Sequence, residues 1–139
     1  MLWTLFEARP LGERGNVAHI TQAVEAWDEA GTLAAPAYDR ALEYFRNRYF
    51  QAGAFTEHFY GLHLRPNDRP EVVRNMLDGS DDTERSRVTA VLIIIFRYRN
   101  NLFHGIRWRY RLAGQLGNFR TANAVLKHVL KRHGDLLAP

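Results

Sequence analysis

Wound as a helix, Val88-Thr89-Ala90-Val91-Leu92-Ile93-Ile94-Ile95-Phe96 is apolar nearly all round, and such a helix is stable only where neighbours cover most of its circumference. The run is about nine residues long, well short of the roughly 20 that a membrane span needs, so no membrane association is expected and the cover must come from other helices. A central helix clad by others follows. Its far end carries Arg97-Tyr98-Arg99-Asn100-Asn101-Leu102-Phe103-His104-Gly105.

At about 100° per residue, Leu92, Ile95, Phe96, Leu102, Phe103 and Ile106 form one stripe with Arg99 in its middle. A guanidinium set in an apolar face needs acceptors, because an unpaired buried charge is costly and arginine cannot shed its proton. Arg99 is therefore expected to meet a carboxylate, with Glu43 and Glu57 as candidates, or an anionic ligand. Asn100 and His104 lie four apart and share a neighbouring face, with Arg97 one turn back on nearly the same line. Arg99 and His104 lie roughly 140° apart, so they converge only if the arginine wraps round or a second subunit contributes. Gly105 reads as the stop, which leaves His104 at a helix C-terminus where the macrodipole favours its protonated form. Arginine, asparagine and histidine together are the groups that phosphodiester chemistry uses, and they make RNA cleavage the leading expectation.

Basic residues continue past this point. Residues 97 to 111 contain Arg97, Arg99, Arg107, Arg109 and Arg111 and no acid, with Trp108 and Tyr110 alternating with the last three. Stacking rings beside phosphate-pairing cations suit single-stranded RNA, so Arg97, Arg107, Trp108, Arg109 and Arg111 are candidate RNA contacts. The plainer reading is a solvated segment with arginines out and aromatics in. Over the whole chain 19 Lys and Arg face 15 Asp and Glu, a net charge of +4, so the clustering matters more to an anionic partner than the total.

The 139 residues read as a single domain, 1–139, with no repeat, linker or low-complexity tract. The absence of cysteine excludes thiol catalysis, disulfides and thiolate-bound zinc. With no signal-like segment ahead of the first charged residues, a cytoplasmic location is expected. The six histidines include His58 with His63 and His128 with His133, both five apart, where metal ligands on one helix face need a spacing of four. No metal and no cofactor is expected. Gly114-Gln115-Leu116-Gly117 lacks the lysine of a phosphate loop, and no serine sits in a nucleophile-elbow pattern. Arg46-Asn47 repeats the Arg-Asn pair but has Gln51 where His104 follows Arg99, so the pair alone carries no meaning.

The remaining segments read as helices. Val17, Ile20, Val24 and Trp27 line one face of a helix from Val17 to Ala30, with Asn16 as N-cap and Gly31 as stop. A second helix is expected from about Pro36 to Gln51 on Tyr38, Leu42, Phe45 and Tyr49. Gly53 kinks or restarts it, and Phe55, Phe59 and Leu62 continue a helical pattern to the loop Arg65-Pro66-Asn67-Asp68-Arg69-Pro70. A short helix from Glu71 stops at Gly79, and the long helix runs from about Asp82 to Phe103 with Asp81 and Glu84 as a capping box. Gly114 and Gly117 mark a loop before a last helix capped by Asn118 and ended by Gly134. Tyr44, Phe45, Tyr49, Phe50, Phe55, Phe59 and Tyr60 read as core packing. The architecture expected is all-α, a four- or five-helix bundle.

Arg99-Asn100-Asn101-Leu102-Phe103-His104, continued to Gly105 at the end of a long helix, resembles the HEPN superfamily, whose signature is an arginine, a polar residue and a histidine a few positions on. The resemblance implies a homodimer that joins two such Arg-x4-His motifs in a cleft, and a metal-independent endoribonuclease of toxin, antiphage or RNA-processing systems. Arg99 and His104 would be catalytic, with Asn100 in support. It also admits a second reading, a non-catalytic RNA- or nucleotide-binding or scaffold module partnered with a nucleotidyltransferase; a toxin would instead be partnered with an antitoxin.

Overall fold

The computed structural model describes residues 17–104 and 116–134, with side chains described for 17–98 and 117–133. It is mostly helical. In chain order come α1 (Val17–Glu29), a 3-10 turn (Ala35–Tyr38), α2 (Asp39–Tyr49), a hairpin of β1 (Phe50–Gln51) and β2 (Ala54–Phe55), and α3 (Glu57–Tyr60). A 3-10 turn (Pro66–Asp68), α4 (Pro70–Asp78), α5 (Glu84–His104), α6 (Leu116–Val129) and a π-helical turn (Leu130–Gly134) follow.

Helix α5 is the axis of the molecule, packed by α1, α4, the Ala35–Tyr38 turn and α2. Every residue from Val88 to Tyr98 is at most 8 % exposed, which is what an apolar circumference requires. Thr89 sits in this stretch because its hydroxyl donates to the Arg85 carbonyl at 2.8 Å. Gly79 takes a left-handed φ of 84° at the end of α4, the conformation a helix-ending glycine supplies. The cap of α5 lies later than the Asp81–Glu84 box expected: the Asp81 carboxylate accepts the Thr83 N–H at 3.0 Å and the Thr83 hydroxyl accepts the Ser86 N–H at 3.4 Å.

Three local expectations are corrected. The second helix stops at Tyr49, and Phe50–Gln51 pairs antiparallel with Ala54–Phe55. Ala52 and Gly53 between them have φ of 51° and 76°, two left-handed residues that match the twist of a two-residue hairpin. The helical pattern through Phe59 shrinks to the single turn of α3, and Tyr60 is 63 % exposed, outside the core. The last helix starts at Leu116, so Gly117 and Asn118 lie within α6 and Asn118 is not its cap.

The C-terminal segment docks through rings. His133 is 7 % exposed and stacks on Trp27 with centroids 3.8 Å apart and planes inclined by 6°, while His128 meets the buried Tyr38 edge-on at 5.3 Å. Burial, then the charges of Arg132 and His128, lower the His133 pKa from 6.5 to about 4. Above pH 6.5 neither the folded nor the unfolded chain holds this proton and stability is full. As pH falls from 6.5 the unfolded chain takes the proton first, so stability declines until the folded imidazole also titrates near pH 4, where the loss levels off. The expected loss is about 3 kcal/mol, with a smaller contribution of the same sign from His128, whose pKa is lowered by burial and by Arg132 and Lys131. Urea midpoints measured between about pH 7.5 and pH 4 check this: His133→Gln should remove most of the slope, and an unchanged slope would refute the assignment.

Candidate functional site

The polar cluster falls on the last turns of α5, which remains helical through His104. Arg99, Asn100 and His104 therefore share one helix, with Asn100 and His104 one turn apart on a common face and Arg99 roughly 140° round from His104. The cluster directly follows Tyr98, which is 8 % exposed. Arg107, Trp108, Arg109 and Arg111 lie outside the described residues.

Arg97 corrects the expectation placed on it. It is 4 % exposed, its Nε donates to the Leu62 carbonyl at 3.1 Å, and it lies 3.6 Å from the Asp68 carboxylate. Burial lowers its pKa, Asp68 raises it and Arg65 lowers it further. The Pro66–Asp68 turn delivers the carboxylate, and Asp68 is itself fixed by accepting the Arg65 N–H at 2.8 Å. With its guanidinium committed to the core, Arg97 is not a phosphate contact. Glu43 and Glu57, the carboxylates suggested for a buried arginine, are both exposed. Sequence reasoning passed over Asp68 because it sits in a proline-flanked loop 29 positions before Arg97, and an acid in a loop normally faces water.

Other elements gather beside the end of α5. Tyr98 packs edge-on against Phe119 of α6 at 5.4 Å, and burial pushes its hydroxyl pKa up, with Tyr49 and Tyr44 adding to the rise and Arg48 opposing it. Burial likewise pushes the Tyr49 hydroxyl up to about 12. The Tyr44 hydroxyl donates to Asn118 Oδ1 at 2.8 Å, tying α2 to the first turn of α6. Arg48, on the last turn of α2, holds its guanidinium 5.9 Å from the Tyr49 ring centroid. The ends of α2, α5 and the start of α6 thus meet around Tyr98, bringing together residues that sequence reasoning treated as unrelated.

Gly117 makes the Tyr44–Asn118 bond possible, since a Cβ there would stand 2.5 Å from the Tyr44 hydroxyl. Gly117→Ala is expected to break that bond and cost about 1–2 kcal/mol. Thermal unfolding of Gly117→Ala beside Tyr44→Phe checks it: a cavity-free tyrosine site should make the double variant recover part of the loss, and a Gly117→Ala protein as stable as wild type would disprove the contact.

Among the described residues no three His, Asp or Glu side chains are grouped to hold a metal ion, and no helix is long and apolar enough to cross a membrane. Comparison of the chain with protein-family models, curated proteins and solved structures gives no match.

Proposed function

We propose that this protein is a metal-independent endoribonuclease of HEPN type that acts as a homodimer. The observation that supports this reading most is the continuity of α5 through His104, which keeps Arg99, Asn100 and His104 in one helical register. In this reading the RNA 2′-OH attacks the adjacent phosphorus and the bond to the 5′ oxygen breaks. One imidazole takes the 2′ proton and a second returns a proton to the leaving oxygen, so two copies of His104 across a two-fold axis supply base and acid. Arg99 pairs its planar fork with the phosphoryl oxygens as charge builds there, and Asn100 orients His104 or a phosphate oxygen. Arg107, Trp108, Arg109 and Arg111 hold the flanking strand.

The dimer is the arrangement in which Arg99 and His104, roughly 140° apart on one helix, meet without the arginine wrapping round that helix. The test is incubation of a mixed-sequence single-stranded RNA with the protein in EDTA, with the product ends identified. The expected products carry 2′,3′-cyclic phosphate and 5′-OH ends. A well-folded dimer that leaves the RNA intact would sink the ribonuclease and leave the binding or scaffold module, whereas a monomer at micromolar concentration by light scattering would sink the shared cleft.

A further inference from the structure

The edge built from β1, β2 and α3 carries groups that the fold itself does not use. Tyr60 is 63 % exposed and meets the buried Phe59 edge-on at 5.5 Å. Phe59 stacks on Phe55 at 4.5 Å and Phe55 packs against Phe50 at 5.0 Å, so the exposed ring stands on a fixed aromatic base.

Two guanidiniums lie on this edge. Arg74 sits 5.9 Å from the Phe59 ring centroid and Arg48 5.9 Å from that of Tyr49. Arg46, Arg69, Arg85, Arg87 and Arg97 each lie within ion-pair distance of a carboxylate; among the described residues no carboxylate comes that close to Arg48 or Arg74, and Arg48 Nε is buried with no hydrogen-bond partner among them. A half-buried cation held against a ring and lacking an acid gains from an incoming anion. The exposed Glu57, in the first turn of α3, and Glu71 and Asp78, three and four residues from Arg74 on its helix, oppose them.

The edge leads directly to the end of α5. Thr56 donates its hydroxyl to the Arg48 carbonyl at 2.7 Å and its N–H to the Tyr49 carbonyl at 2.9 Å, which joins the end of α2 to the start of α3. Leu62, two residues after Tyr60, accepts from Arg97, two residues before Arg99.

We infer that this edge binds single-stranded RNA, with Tyr60 stacking on a base and Arg48 and Arg74 pairing with phosphates. The choice of RNA rests on the ribonuclease reading of the α5 end. Charge complementarity calls for a polyanion, and an exposed ring packed on the same Phe59 that Arg74 faces suits one whose units present flat faces. An acidic peptide would satisfy the arginines and leave Tyr60 with nothing to stack on.

The test uses a fluorescein-labelled, mixed-sequence 2′-O-methyl oligoribonucleotide of about 12 nucleotides, which lacks the attacking hydroxyl and so reports binding alone. Anisotropy in EDTA should show Tyr60→Ala weakening binding about tenfold while Tyr60→Phe retains it. Arg48→Gln and Arg74→Gln should each reduce the slope of log K against log salt by about 0.7. Arg48→Lys, checked by thermal unfolding, guards against a folding defect at the partly buried site. Variants that bind like wild type, or a wild type that does not bind, would overturn the inference. So would variants that alter self-association in light scattering and leave RNA binding intact. Wild-type binding through this edge without cleavage of 2′-hydroxyl RNA would keep the surface and remove the ribonuclease. Cleavage with unaltered binding in the variants would do the reverse.

Discussion

Replacing His104 with alanine is expected to slow RNA cleavage by about 100- to 10,000-fold, the usual contribution of a positioned proton-transfer group. His104 lies six residues beyond Tyr98, the last residue of the buried stretch Val88–Tyr98, so losing its side chain should leave that stretch intact and circular dichroism unchanged. Arg99→Lys should also be strongly impaired, because a lysine keeps the charge and loses the planar fork that pairs with two phosphoryl oxygens at once. Initial rates on a defined oligoribonucleotide in EDTA, with both variants at matched dimer concentration, decide the matter. A His104→Ala protein that cleaves at the wild-type rate would remove His104 from the chemistry. A mixed dimer of one Arg99→Lys subunit and one His104→Ala subunit probes the shared cleft further, since it keeps one intact copy of each side chain.

Removing Asp68 should have the largest effect on stability. Asp68→Ala leaves the Arg97 guanidinium in the core with the Leu62 carbonyl and without its carboxylate, and taking away one partner of a buried ion pair costs roughly 3–5 kcal/mol. The Arg65 N–H loses its acceptor as well. Asp68→Asn retains that acceptor and should fall between Ala and wild type. Replacing both partners, Arg97→Met with Asp68→Leu, removes the buried charges together and should restore most of the stability, since a well-packed apolar pair is often no worse than a buried ion pair. Urea midpoints of the four proteins test the argument. A loss under about 1 kcal/mol for Asp68→Ala would mean that Arg97 is solvated and that the core arginine has been misassigned.

The long helix, its central place and its extent were legible because a nine-residue apolar run allows few alternatives, and the end of α4 at Gly79 was legible because a left-handed helix stop is a property of the residue itself. The end of α2 was not. Phe50 and Gln51 continue a helical pattern, but Ala52 and Gly53 both take positive φ, and the chain pairs back on itself so that Phe50 can pack against Phe55. Nothing in the local periodicity separates a helix continuing through Phe50 from a hairpin that begins there, since both place the same aromatics on an apolar side.

The candidate site divides along the same line. The composition and spacing of Arg99, Asn100 and His104 are properties of the sequence alone, and so is their register on a helix, because rise and rotation per residue are fixed by the backbone. What holds a buried arginine was decided by tertiary structure: Arg97 is buried because the Pro66–Asp68 turn brings a carboxylate to that face of α5, where the Leu62 carbonyl also accepts from it. Periodicity is set by neighbours within a turn or two, so a sequence displays it. The partner of a buried charge is set by which distant loop folds over it, and that contact, across 29 positions for Arg97 and Asp68, exists only once the chain has packed.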